Sequence, residues 1–99
     1  MIALVVRFDV RDEAAARRFD ELTAAAVEAI RAREPGTLVY ATHSVREAPL
    51  ARVFYEVYAD EAAFQAHEEA PHVIDFHARK DPLLAGPARV EFLDPGAAR

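Results

Sequence analysis

The chain contains no cysteine. That absence excludes disulfides, thiolate catalysis, and zinc or iron–sulfur sites held by cysteine. An excess of basic residues is also missing. Twelve Lys and Arg stand against 17 Asp and Glu, a formal charge of -5, with the arginines scattered among acids. A protein that grips a phosphate backbone gathers its cations on one face, so nucleic acid is not an expected partner. No apolar run approaches the ~20 residues that span a bilayer, and the start, MIALVVRFDV, has neither a basic leader nor a long apolar segment. No membrane association is expected, and the chain reads as cytoplasmic. What remains is 99 residues, 53% of them hydrophobic and 29% charged. This suits one globular domain, over 1–94, followed by a loose tail over 95–99. A core this small gains stability from a second subunit.

Periodicity gives the elements. In IALVVRF, Ile2, Leu4, Val6 and Phe8 alternate with Ala3, Val5 and Arg7, as in a strand. From 12 to 33, Phe19, Leu22, Ala26 and Ile30 recur at helical spacing on an alanine-rich background, with Asp12 as N-cap. Glu34-Pro35-Gly36 stops that helix, with Gly36 expected at the positive φ of a turn. TLVYATHSV (37 to 45) and RVFYEVYA (52 to 59) read as a hairpin joined by the loop REAPLA. Asp60 caps a short helix that runs to Glu69, and Pro71 opens another that buries Val73, Phe76 and the stem of Lys80. ARVEFL, 88 to 93, is a last strand. The order β-α-β-β-α-β is the ferredoxin-like α+β plan, an antiparallel sheet with helices on one side. Apolar residues at both strand parities leave the uncovered face in need of burial, so a homodimer through the sheet face is expected.

Histidines crowd the segment HEEAPHVIDFH, at 67, 72 and 77. Steps of five turn ~140° around a helix, so these rings fan out rather than converge, and Pro71 breaks the axis between them. No metal site is expected. Each ring is either a partly buried polar group or a surface residue, and for His77 that plain reading is preferred. Glu56 lies between Tyr55 and Tyr58 in an otherwise apolar strand, where a carboxylate has to be exposed, paired or perturbed.

EPGTLVY, FYEVYADEAAFQAH, the Pro71-His72 pair and PLLAGPARVEFL together resemble the antibiotic biosynthesis monooxygenase domain family, over nearly the whole chain. The resemblance implies a dimeric α+β barrel. It also implies oxygenation of a quinol, anthrone or related polyphenol by O2 without cofactor, in a pocket between sheet and helices. On that pattern His67 and His72 border the pocket as candidate bases, and Glu56 in YE holds a histidine or arginine. Arg7, Tyr40, His43 and Tyr58 are candidate contacts to a small aromatic or phenolic substrate. Arg7 departs from the Asn or Glu of relatives and favours an anionic or phenolate ligand. The plain alternatives are an arginine reaching water, a solvent-facing His43, and core tyrosines. Haem-degrading relatives use a tryptophan where this chain has His67, and the chain has none. The family also includes an isomerase, so tautomerisation of a small carbonyl compound and ligand binding without turnover stand as alternative functions.

Overall fold

A computed structural model describes residues 1–99. Strand β1 (Ile2–Asp9) leads into helix α1 (Glu13–Arg33), followed by β2 (Thr37–Val45) and β3 (Ala48–Tyr58). Helices α2 (Glu61–Glu69) and α3 (Pro71–Lys80), a 3-10 turn (Asp81–Leu83) and β4 (Arg89–Leu93) complete the chain. The strands lie in the order β2-β3-β1-β4, every pair antiparallel, which is the ferredoxin-like plan expected from the sequence. No helix is long and apolar enough to cross a membrane.

Local chemistry sets the boundaries. The Asp12 carboxylate accepts from the Ala15 amide at 2.8 Å and opens α1, and the Asp60 carboxylate does the same for Ala63 at 2.8 Å and opens α2. Each satisfies an amide that the first helical turn leaves without a partner. Pro71 starts α3, where its missing N–H costs nothing. Helix α1 lays Ala15, Ala16, Phe19, Ala26 and Ile30 on the sheet. Small alanines let Phe19 reach Phe8 and Phe54, whose centroids lie 5.3 and 5.9 Å away. Phe8 and Phe54 meet edge-on at 4.8 Å, so the core is an aromatic cluster between sheet and helices.

Two expectations need correction. The loop over 46–51 is shorter than its Pro-containing sequence suggests, because β3 already begins at Ala48. Ala51 is buried and Leu50 packs on the core, so this apolar pair is drawn into the sheet. The turn closes at Glu47, which takes a φ of 67°, and a register shift at Ser44/Val45 absorbs the misfit. Gly36, in turn, is not at positive φ. It is required by proximity instead: a β-carbon there would stand 2.6 Å from that of Ala63 on α2, while its carbonyl accepts from the Ala59 amide at 2.9 Å.

Gly36→Ala is therefore expected to destabilise the fold by about 1–3 kcal/mol through overpacking, although its backbone angles suit alanine. A fall in the denaturant midpoint at constant slope is the sign to look for.

Candidate functional site

The helix-facing side of the sheet and the helices line an open-sided cavity of about 380 Å³. That size lies within the ~300–1,000 Å³ range of small-molecule sites. Its apolar wall comes from Leu4, Val6 and Phe8 of β1, Phe64 of α2, and Val90 and Phe92 of β4. Tyr40, Glu56, His67 and Glu68 face one part of it, and His77 and Lys80 face another.

The polar side is organised by a residue that the sequence reading treated only as a helix stop. Glu34 ends α1 with its carboxylate turned inward, only 7% exposed. Nδ1 of His67 donates to one oxygen at 2.7 Å, and the same oxygen accepts from the Thr37 hydroxyl at 2.7 Å. Nε2 of His72 donates to the other oxygen. Burial raises the Glu34 carboxyl, but the bonds from Thr37, His67 and His72 outweigh it and hold the group below its ordinary range. Glu34 is then an ionised acceptor, which fixes the proton of His67 on Nδ1. The opposite nitrogen, Nε2, has no protein partner. The ring sits between Tyr58 and Tyr40, with centroids 5.0 and 5.6 Å away.

Glu56 and Tyr58 project from the same side of β3. The Tyr58 hydroxyl donates to the Glu56 carboxylate at 2.6 Å. Burial pushes the Glu56 carboxyl above its ordinary value, and the bond from Tyr58 and the nearby His67 only partly oppose that. Burial and the Glu56 charge push Tyr58 well above the ordinary tyrosine range. Burial, then Glu56 and Glu34, does the same for Tyr40. Both phenols stay protonated at neutral pH, and the Tyr40 hydroxyl is free to donate. Burial, followed by the Lys80 charge, lowers His77 against the opposing pull of Glu68 and Asp81.

The structure thus brings His67, Glu56, Tyr40 and Tyr58 together on the inner side of the sheet. His72 stands behind Glu34, against a separate groove between α1 and α3, where it braces the carboxylate without lining the cavity. The histidine-holding role expected of Glu56 falls to Glu34. Arg7 and His43 do not reach the cavity. Register places them on the uncovered face, in one row with Val53, where the Arg7 guanidinium donates to Asp9 at 3.3 Å and His43 Nδ1 lies 3.1 Å from the Val53 carbonyl. Their parity, odd on β1 and β2, separates them from Leu4 and Tyr40. His77, read as either a partly buried polar group or a surface residue, is half-buried and lines the cavity. An acidic residue at the C-terminal end of a helix, where the dipole disfavours negative charge, was the available signal for Glu34. No three His, Asp or Glu side chains are arranged to hold a metal ion.

Glu34→Gln keeps an acceptor but removes the charge, and it should cost about 1–3 kcal/mol near neutral pH. A lowered folded value means that the carboxylate's stabilisation is present above its ordinary value of 4.5 and is lost as pH falls through the folded value. The gap between wild type and variant in chemical denaturation should therefore close on acidification below about 4.5.

A family model described as antibiotic biosynthesis monooxygenase matches residues 1–79. No curated protein matches the chain. Among solved structures, a Caulobacter crescentus CB15 protein described as an antibiotic biosynthesis monooxygenase is 26% identical, with a TM-score of 0.90 over 97% of this chain and 90% of that one. A Mycobacterium tuberculosis protein is 26% identical at a TM-score of 0.87, covering 98% of this chain and 96% of its own. A Nitrosomonas europaea protein with the same description shares the fold at 23% identity and a TM-score of 0.85, over 96% and 98% of the two chains. With the family model spanning most of its length and the ferredoxin-like sheet in place around the cavity, the chain belongs to the antibiotic biosynthesis monooxygenase family.

Proposed function

We propose that this protein is a cofactor-independent monooxygenase that oxidises a quinol, anthrone or related polyphenol with O2. The observation that carries this reading is the His67 ring, fixed by Glu34 at Nδ1 and bare at Nε2, on the wall of a largely apolar cavity. A histidine so held is a general base in the correct tautomer. It removes a proton from the substrate hydroxyl, or from the enol form of an anthrone, and the protonated ring is stabilised by Glu34. The Tyr40 hydroxyl, kept protonated by its surroundings, donates to the resulting oxyanion. The anion is electron-rich enough to reduce O2 by one electron, and recombination of the two radicals at carbon gives a peroxide. Breakage of its O–O bond leaves one oxygen on carbon and releases the other as water, so the substrate supplies all the electrons. Apolar walls keep bulk water from the reacting anion.

Oxygen uptake by chelator-treated protein offered hydroquinones and anthrones should exceed a protein-free control, and His67→Ala should lower kcat by about 10²–10⁴-fold. Unchanged uptake in that variant would remove His67 from the chemistry. Turnover of a carbonyl substrate under strict anaerobiosis would instead favour the isomerase reading, and ligand binding with no product a binding protein.

We further propose that the uncovered sheet face joins two copies of the chain. Cross-strand register sets Leu93, Ala3, Val57 and Val39 in one row and Glu91, Val5, Tyr55 and Ala41 in the next. Val39, Tyr55 and Leu93 are 37%, 40% and 41% exposed, an apolar surface that a partner sheet would cover. Light scattering should give a dimer mass for wild type and a monomer for Tyr55→Asp. A monomeric wild type would end the idea.

A further inference from the structure

We infer that the cavity is built for an anionic aromatic ligand, with the acid group held by Lys80. This inference rests on the proposed use of the cavity for an aromatic substrate, and it adds where the ligand's charge lies. Lys80 is 4% exposed at the end of α3. An ammonium has three N–H donors, and here one is used, to Asp81 at 2.6 Å. The charge otherwise faces aromatic surface, 5.0 Å from the Phe8 centroid and 5.9 Å from that of Phe76. Cation–π contact offsets part of the desolvation but accepts no hydrogen bond. Two buried donors on a cavity wall therefore await an acceptor, which the ligand can bring.

The surrounding charges agree with this. His77, one turn before Lys80 and on the same wall, is held below its ordinary range by burial and by Lys80, so it offers a neutral ring at neutral pH. Asp81 is 63% exposed through its side chain, and its attraction is screened by water. Glu68, on the cavity rim, is exposed as well. The buried carboxylate, Glu56, is remote. It pairs in register with Leu4, whereas Lys80 lies over Phe8, four strand residues or ~13 Å further along β1. Glu56 and His67 thus mark the end where a hydroxyl is deprotonated, and Lys80 the end where a fixed acid group docks. A planar ligand carrying a phenol at one end and a carboxylate at the other spans the two without placing its charge beside Glu56.

Anaerobic titration of the full chain with 2-naphthoate and the uncharged 2-naphthamide, followed by calorimetry, tests this without any turnover. Wild type should bind the naphthoate about 10- to 100-fold more tightly, the range of one or two charge-assisted bonds. Lys80→Met, which keeps the apolar stem, should abolish that preference by weakening the naphthoate alone. Asp81→Asn should strengthen naphthoate binding by removing the carboxylate charge that competes for the ammonium, and it decides the matter if the methionine variant does not fold. Equal affinities in wild type, a preference that survives in Lys80→Met, or an unchanged naphthoate affinity in Asp81→Asn would each overturn the inference. Oxygen uptake with no charge preference would fail this inference alone, and charge preference with no oxygen uptake would fail only the oxidation.

Discussion

The buried carboxylate of Glu34 ties together four separate parts of the chain. It ends α1, accepts from Thr37 at the start of β2, and takes one histidine from α2 and another from α3. Ionised and nearly sealed from solvent, it is tolerable only because each oxygen is occupied by donors. The same bonds orient His67, so the group that closes the helices onto the sheet also sets the tautomer of the proposed base. His72 completes the arrangement from the far side, which explains a half-buried histidine that lies outside the cavity.

Much of the fold was legible because it rests on local rules. Asp12, Asp60 and Pro71 announce their helices through capping chemistry, and the alternation in β1 fixes which side chains face inward. The errors arise where tertiary contact overrides local preference. Pro49 suggests a loop, yet Leu50 and Ala51 gain more by joining the sheet. Gly36 suggests a positive φ, yet what it supplies is room for Ala63. In the site, Glu56, Tyr58, Tyr40 and His67 could be picked out as polar or aromatic residues in apolar surroundings. Arg7 and His43 could not be placed correctly until strand parity was joined to register. The roles of Glu34 and Lys80 were hidden for another reason: the histidines that meet Glu34 lie 33 and 38 residues away, and the rings that Lys80 faces have no polar signature.

The two faces of the sheet divide the work. The inner face carries the aromatic cluster and the cavity, and its polar groups are few, buried and perturbed. The outer face carries two rows that are apolar except for Glu91, beside a row of Arg89, Arg7, Val53 and His43. Apart from Glu91 at the β4 edge, charge on that side stays at one end of the sheet, and the middle is the surface proposed to join two copies.

Nearly all of the cavity's lining projects from strands and helices, and Ala88 alone comes from a connecting segment. Binding sites more often sit on loops, where insertions and deletions reshape them freely. Here the backbone offers little such latitude, because adding one residue to a strand would reverse every side chain beyond it. Divergence toward new ligands must therefore proceed by exchanging side chains at fixed positions. Relatives can keep one scaffold at low identity while altering the chemistry inside it.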